Sequence, residues 1–109
     1  LLSGDGMRWF WACYLGESAH AGNRLASPLA ASPAELSALP PVSISSAEFD
    51  ILRDEAEAFA AHLRQVGIAV SLRRYDGMVH GFLSLPIVED VALRALADIG
   101  RDIAASLED

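Results

Sequence analysis

Lysine is absent from this sequence and cysteine is nearly so. All eight cationic side chains are arginines, and 15 Asp and Glu outnumber them, which gives a formal charge of −7. With no basic patch to neutralise phosphates, binding to nucleic acid or to an anionic membrane is not expected. The single cysteine, Cys13, lies in an aromatic and apolar run and can form no disulfide within the chain. We expect it to be a small buried hydrophobic residue in a protein of the reducing cytoplasm.

Long hydrophobic runs are also lacking. No apolar stretch approaches the ~20 residues that a membrane-spanning helix needs, and residues 1–6 lack the features of a signal peptide. The sequence begins without methionine, as expected of a sequence that starts inside a longer protein. Its 109 residues can bury one core, whereas α/β enzyme domains routinely reach ~200–250 residues. A small domain and a part of a larger one both fit this length.

The first third of the chain combines an aromatic segment with a loop. Residues 7–15 hold four of the Trp, Tyr and Phe residues and predict a short helix that is buried on most sides. Residues 16–39 are rich in Gly, Ser, Asn and Pro and predict a long ordered loop. Within it, Ser32 as N-cap and Glu35 three positions later predict a capped helical turn over residues 33–38.

The rest of the chain predicts a βαβα unit. Residues 42–47 are β-branched or small and predict a strand, and residues 68–75 alternate as a second strand. Between them, residues 52–66 show helical periodicity that ends at Gly67. This order predicts a right-handed unit with two parallel strands and flanking helices, hence the α/β class. A last helix is predicted over residues 87–107. Its expected apolar face consists of Val88, Val91, Leu96, Ile99, Ile103 and Leu107.

One acid and one histidine come just after the two predicted strands. Asp50 follows the first strand and His80 the second, and the carboxyl ends of neighbouring parallel strands share one rim of a sheet. A histidine that acts as general base needs a carboxylate on its other ring nitrogen, a role open to Asp50. On spacing alone, the alternative is that Asp50 only caps the next helix and His80 is an ordinary loop histidine. Gly77 and Gly81 flank the histidine and permit a tight turn.

The amino-acid sequences of these two stretches resemble motifs of a known enzyme family. Ala-Glu-Phe-Asp-Ile-Leu-Arg-Asp-Glu at residues 47–55 and Tyr-Asp-Gly-Met-Val-His-Gly-Phe at residues 75–82 resemble the acid and histidine motifs of the hormone-sensitive-lipase-like α/β-hydrolases, the bacterial family IV esterases. Shorter similarities at residues 9–16, 26–29 and 39–41 occur in the family's order. The resemblance covers nearly the whole chain up to the last helix.

This resemblance implies that residues 1–109 are the C-terminal portion of a single α/β-hydrolase domain. Residues 1–39 would be its aromatic segment and long loop, and residues 40–109 its βαβα unit with the acid and histidine motifs. The implied activity is hydrolysis of small-molecule carboxylic esters by a Ser-Asp-His triad, with no metal or other cofactor. Asp50 matches the family's acid and His80 its base.

Supporting roles follow from the same resemblance. Residues expected to support the pair without reacting are Glu48, Asp54 and Gly81. Candidates for the substrate pocket are Trp9, Trp11 and Phe82, although composition alone favours the two tryptophans as core residues. Homodimerisation through the strand at 68–75 and the last helix is common in proteins of this kind.

The nucleophile of such an enzyme is missing from the sequence. There is no Gly-x-Ser-x-Gly elbow and no His-Gly-Gly-Gly motif for an oxyanion hole. The nearest candidate, Ser18, precedes Ala19 and His20, where the elbow requires a glycine, so a plain loop serine is favoured. We therefore expect the isolated chain to be inactive as an esterase. The alternative is a non-catalytic binding or oligomerisation module derived from the same fold.

Overall fold

The structure, a computed structural model, describes residues 2–16 and 22–107. In chain order these residues form α1 (Gly4–Leu15), α2 (Pro33–Leu36), β1 (Val42–Phe49), α3 (Arg53–Gln65), β2 (Val70–Val79) and α4 (Glu89–Leu107), with 3₁₀ turns at Pro28–Ala30, Phe82–Ser84 and Pro86–Val88. Within the described residues, none of these helices combines the length and the apolarity that crossing a bilayer requires.

The two strands lie side by side and run in the same direction. Val42 pairs with Val70, and the pairing continues without interruption to Ala47 with Tyr75. Helix α3 connects the strands, so the predicted parallel βαβ unit and the α/β class are confirmed. Both strands extend further at their carboxyl ends than the sequence predicted. The residue after β1 is therefore Asp50, and the residue after β2 is His80.

Helix α3 covers one face of the sheet and ends where the sequence predicted. Its Ala60 and Leu63 are fully buried. At its end the chain reverses through Gly67, whose φ of 87° is a conformation that glycine adopts at low cost. The N–H of Ile68 then donates to the carbonyl of Leu63 at 3.1 Å, which satisfies one of the last helical acceptors.

The core is divided between the two faces of the sheet. Alternate residues of β1 point to opposite sides, so Val42 and Ile44 pack near Leu63 on the α3 face, whereas Ala47 packs with Ala95 on the α4 face. Buried residues of the α3 face are Ala31, Leu36 and Leu63, and those of the α4 face are Ala47, Phe82 and Ala95. The second cluster includes Phe82, which follows His80 by two residues.

Polar side chains of β2 also reach both neighbouring helices. The Nε atom of Arg74 donates to Oε1 of Glu57 in α3 at 2.7 Å. The preceding residue, Arg73, forms an ion pair with Asp102 in α4. Because adjacent residues of a strand face opposite sides, two consecutive arginines tie the two helices to the same strand.

The described part of the loop is ordered by a capping box, as the sequence predicted. The N–H of Ser32 donates to the Glu35 carboxylate at 2.9 Å, and the N–H of Glu35 donates to Oγ of Ser32 at 3.4 Å. The N–H and the hydroxyl of Ser32, together with the nearby Arg24, lower the pKa of the Glu35 carboxyl. The helical turn that they begin, α2, buries Leu36 in the α3-side core.

The buried face of α4 differs from the predicted face. Ala92 and Ala95 are buried, whereas Leu96, Ile103 and Leu107 are 51%, 54% and 80% exposed. The predicted residues that are half-buried are Val88, Val91 and Ile99. The helix turns its small side chains towards the sheet, since alanines permit a closer approach than leucines, and larger apolar residues remain outside.

Helix α1 forms as predicted but is not buried as predicted. None of its twelve residues is buried. Trp9 and Phe10 are 62% and 53% exposed, and Cys13 is exposed as well. The prediction that Cys13 and these aromatic side chains are core residues is therefore wrong for this chain. The physical reason is that no other described element packs extensively on α1; apolar composition indicates a surface to be covered but not what covers it.

We expect Asp102→Asn to lower the melting temperature at neutral pH. The Arg73 guanidinium, with the hydroxyls of Ser43 and Ser71, holds the pKa of the Asp102 carboxyl well below its ordinary value of 3.8. The folded state thus favours the charged form, so this carboxylate stabilises the fold above pH ~4, and the contribution is lost as pH falls through the lowered pKa. Thermal unfolding followed by circular dichroism should show the two proteins converging in acid. An equal difference at every pH would contradict the assignment.

Candidate active site

Asp50 is held in place by its own turn. Its Oδ1 atom accepts a hydrogen bond from the N–H of Leu52 at 2.9 Å, and its carbonyl accepts one from the N–H of Arg53 at 3.1 Å. The side chain is only 12% exposed. These local bonds, typical of an Asp that precedes a helix, leave the second carboxylate oxygen free to bind another group.

His80 supplies that group. Its Nδ1 atom lies 2.8 Å from Oδ2 of Asp50, although the two residues are 30 positions apart in the chain. An ionised carboxylate can only accept hydrogen bonds, so the proton of the neutral imidazole is on Nδ1 and the Nε2 lone pair is free. The histidine side chain is 44% exposed. The predicted meeting of this acid and this histidine is therefore present, and part of the imidazole side chain is open to solvent.

A bulge in β2 produces this alignment. From Val42 with Val70 up to the bulge, paired residues are 28 positions apart, and at Phe49 with Val79 they are 30 apart. Three residues of β2, 76–78, thus lie opposite a single residue of β1. Without the two additional residues, Met78 rather than His80 would stand opposite Asp50. Gly77, with φ of 75°, provides the left-handed conformation within the bulge.

Glu48 contacts the bulge directly. Its Oε2 atom accepts a hydrogen bond from the N–H of Gly77 at 2.7 Å. Glu48 is the residue that the strand register skips, between Ala47 and Phe49. The side chain predicted to support the pair therefore binds the segment that carries the histidine and does not touch the histidine ring itself. Gly81, also predicted as a supporting residue, follows His80 with φ of 76° and begins the 3₁₀ turn at Phe82–Ser84.

Sequence reasoning did not single out Arg53, although it contacts two of the predicted residues. Its Nη1 atom donates to the carbonyl of Glu48 at 2.8 Å, and its Nε atom donates to Oδ1 of Asp54, also at 2.8 Å. Asp54 lies in the first turn of α3, where a carboxylate is favoured by the helix dipole. A cation in that turn is disfavoured by the same dipole. An arginine at position 53, in spite of this dipole, was the signal in the sequence that a specific contact holds the side chain.

The remaining predicted residues lie on different elements. Trp9 and Trp11 are both in α1, the first exposed and the second half-buried. Phe82 is buried, with its ring 5.2 Å from that of Tyr75. Ser18 lies outside the described residues.

An open groove of about 390 Å³ lies at the other end of the sheet, lined by the first residues of both strands and by the end of α4. The acid and histidine lie at the carboxyl ends, which is where open α/β sheets bind ligands. Within residues 2–16 and 22–107, no three His, Cys, Asp or Glu side chains converge as metal ligands would. The chemistry that the described residues offer is proton transfer by a carboxylate-oriented imidazole.

Comparison with known proteins gives a consistent result. Residues 1–84 match the family described as alpha/beta hydrolase fold. The carboxylic ester hydrolase LipN of Mycobacterium tuberculosis is 45% identical over 87 residues, which are 78% of this chain and 22% of that protein. The hormone-sensitive lipase of Ictidomys tridecemlineatus is 43% identical over 63 residues, 58% of this chain and 8% of that protein.

Solved structures agree with the sequence comparison. A hyperthermophilic esterase from the archaeon Pyrobaculum calidifontis superposes with a TM-score of 0.86 at 34% identity, over 96% of this chain and 33% of that one. An esterase from Pseudomonas putida superposes with a TM-score of 0.72 at 37% identity, over 97% of this chain and 31% of that one. The chain thus spans about a third or less of the length of these relatives.

The protonation of His80 can be measured on the chain itself. We expect ¹⁵N NMR of the neutral imidazole to show Nδ1 protonated and Nε2 unprotonated, because Asp50 accepts from Nδ1. Asp50→Ala should abolish this preference. The resonances are assigned with His80→Gln, since the sequence contains three histidines. Identical ring spectra in the parent and the Asp50→Ala chain would show that the pair does not form.

Proposed function

The chain belongs to the hormone-sensitive-lipase-like family of α/β-hydrolases, and from that membership we propose that it carries the acid and the histidine of a carboxylic ester hydrolase. The observation that supports this most directly is the 2.8 Å contact between Nδ1 of His80 and Oδ2 of Asp50 at the carboxyl rim of the sheet. The Nε2 atom of this partly exposed ring is the base, and Asp50 orients the ring and stabilises its protonated form.

The proposed reaction is acyl transfer to a serine followed by hydrolysis. The serine oxygen attacks the ester carbonyl while Nε2 of His80 accepts the hydroxyl proton. The carbon–oxygen bond of the ester then breaks, and the same proton passes to the departing alcohol. Water attacks the acyl-serine in the second half of the cycle, with His80 again accepting and returning a proton. The substrate is accordingly a small-molecule carboxylic ester.

The serine and the oxyanion hole are proposed to come from outside these residues. The sequence holds no Gly-x-Ser-x-Gly and no His-Gly-Gly-Gly motif. The chain also covers only 22% of LipN and 33% of the Pyrobaculum esterase. We therefore propose that residues 1–109 are the C-terminal portion of one hydrolase domain, with residues 1–39 preceding the unit at 40–109 that carries the acid and the histidine.

The proposed supporting roles differ from residue to residue. Asp54 and Gly81 act through the backbone that they order, at the start of α3 and after the histidine. Trp9, 62% exposed, and the half-buried Trp11 are available to line a substrate pocket. Phe82 is buried, so its proposed influence on substrate binding is exerted through packing beneath the histidine segment.

We propose that this chain also binds a second copy of itself. Strand β2, which contains most of residues 68–75, pairs with β1 along one edge only in the described sheet. Helix α4 carries an exposed apolar stripe at helical spacing. The stripe consists of Leu93, Leu96, Gly100, Ile103 and Leu107. An uncovered stripe of this kind, in a chain that also has an open strand edge, is typical of an interaction surface.

The order of residues in the stripe is self-complementary. In an antiparallel pair of α4 helices centred on Gly100, Leu93 of one copy faces Leu107 of the other, and Leu96 faces Ala104. Leucines thus meet at the two ends of the pair, a large side chain meets a small one nearer its centre, and each contact occurs twice, as in an isologous interface. A Cβ atom on Gly100 would meet nothing within 4 Å, so packing within the chain does not require a glycine there, and its cost in a helix is ~1 kcal/mol. A close approach of two helices accounts for it.

The isolated chain should not hydrolyse esters. With purified 109-residue protein and a short-chain p-nitrophenyl ester, we expect the same rate for the parent and for His80→Ala, because no nucleophile is present. Turnover that His80→Ala abolishes would contradict the proposal that the nucleophile lies elsewhere.

The complementary experiment extends the reading frame upstream until a Gly-x-Ser-x-Gly motif is included. In that protein Asp50→Asn should lower kcat by roughly 10⁴-fold with folding intact, as loss of a triad acid does in other serine hydrolases. The control, Glu55→Gln, changes an exposed acid in the first turn of α3 and should have a small effect. Near-normal turnover of the Asp50→Asn enzyme would refute the role of Asp50.

The proposed dimer is tested by molar mass in solution. Light scattering after gel filtration should give twice the chain mass, and Leu96→Arg should give the monomer mass because it places a charge opposite an apolar partner. Ile87→Arg is the matched control, since Ile87 is 91% exposed and precedes α4. A monomeric parent chain, or equal behaviour of the two variants, would exclude this interface.

A further inference from the structure

We propose that Arg53 is a positioning residue that keeps His80 opposite Asp50 by fixing the bulge of β2; this inference rests on the proposed function of that pair. Arg53 touches neither side chain of the pair. Its Nη1 atom donates to the carbonyl of Glu48 at 2.8 Å, while the carboxylate of Glu48 accepts from the N–H of Gly77 at 2.7 Å. Glu48 therefore connects the start of α3 with the bulge through its two ends.

Glu48 needs such a connection because the strand register skips it. Ala47 pairs with Tyr75 and Phe49 with Val79, so Glu48 has no partner residue on β2. The Arg53 guanidinium gives this residue a fixed contact on its carbonyl, from the start of α3. A strand end fixed in this way presents the Glu48 carboxylate to the bulge in one position.

The acid and the histidine differ in how firmly the chain holds them. Asp50 is fixed by hydrogen bonds to the N–H groups of Leu52 and Arg53, so its position depends on its own turn. His80 is placed by a bulge whose residue Gly77 has a positive φ. Because one residue of a strand spans ~3.3 Å, slippage of the bulge by a single residue would break the 2.8 Å contact. Contacts to the bulge therefore decide whether the pair forms.

The charge of Arg53 is balanced at the same place. Its guanidinium contacts the Asp54 carboxylate at 2.8 Å and is 33% exposed. Asp54 thereby restrains the arginine that holds the Glu48 carbonyl, which gives this acid a physical function beyond helix initiation. Asp54 thus restrains Arg53, Arg53 restrains Glu48, and Glu48 restrains the bulge.

The test measures the His80 tautomer in the isolated chain by ¹⁵N NMR. We expect Arg53→Gln and Glu48→Ala to reduce the Nδ1-protonated population relative to its tautomer by at least about fivefold, the change that ~1 kcal/mol produces. Glu48→Gln should retain the population, because its amide oxygen still accepts from Gly77. The matched control is Arg64→Gln, since Arg64 donates to the Val70 carbonyl at 3.2 Å from the other end of α3. Thermal unfolding is recorded for each variant.

The outcomes separate this inference from the proposed function. If Asp50→Ala changes the tautomer but Arg53→Gln and Glu48→Ala do not, the positioning role is overturned and the pair remains. If Arg64→Gln changes it as much as Arg53→Gln, the effect is one of general stability and the inference is also overturned. If Asp50→Ala has no effect, the pair itself fails. Should Arg53→Gln not fold, the difference between Glu48→Ala and Glu48→Gln decides, and equal spectra for those two would overturn the proposal.

Discussion

The geometry of the candidate site depends on a mismatch in length between two parallel strands. β1 has eight residues and β2 has ten, and their pairing begins in register at Val42 with Val70. Two strands of unequal length whose first residues pair and whose last residues pair must accommodate the difference between those ends. Here it is accommodated near the carboxyl rim, in a bulge that brings His80 level with Asp50. Glu48 contacts this bulge, and Arg53 contacts Glu48.

The rest of the fold supports the same pair of strands from both sides. Arg74 binds Glu57 of α3 on one face, and Arg73 binds Asp102 of α4 on the other. The apolar residues divide in the same way, with Leu63 on one side and Ala95 on the other. Because the strands alternate their side chains between the faces, the two strands of the described sheet serve as the common support of both helices.

Much of this arrangement is predictable from local patterns. The helical period before Gly67, the β-branched run at 42–47 and the capping residues Ser32 and Glu35 act within a few positions, and the structure agrees with each. The positions of Asp50 and His80 after their strands were predictable for the same reason. What could not be predicted depends on contacts between distant residues.

The errors share that origin. Periodicity shows that α4 has apolar side chains on much of its surface, but the choice of Ala92 and Ala95 as its buried residues depends on how near the sheet lies. The aromatic run around Trp9 indicates a covered surface without specifying its partner. Glycine in the bulge was read as a sign of a turn, whereas the two-residue change of register depends on which residues of β1 it meets. The contact of Arg53 with a strand carbonyl is equally invisible in the sequence pattern.

The number of residues in the bulge has a consequence for how such a chain can change in length. Two additional residues are an even number, so β2 keeps its alternation of sides relative to β1 across the bulge. A single inserted or deleted residue between Tyr75 and Val79 that shifted the pairing by one position would move the histidine ~3.3 Å along the strand, away from its acid. The contact between acid and histidine therefore limits the number of residues that this segment can hold, as well as their identity.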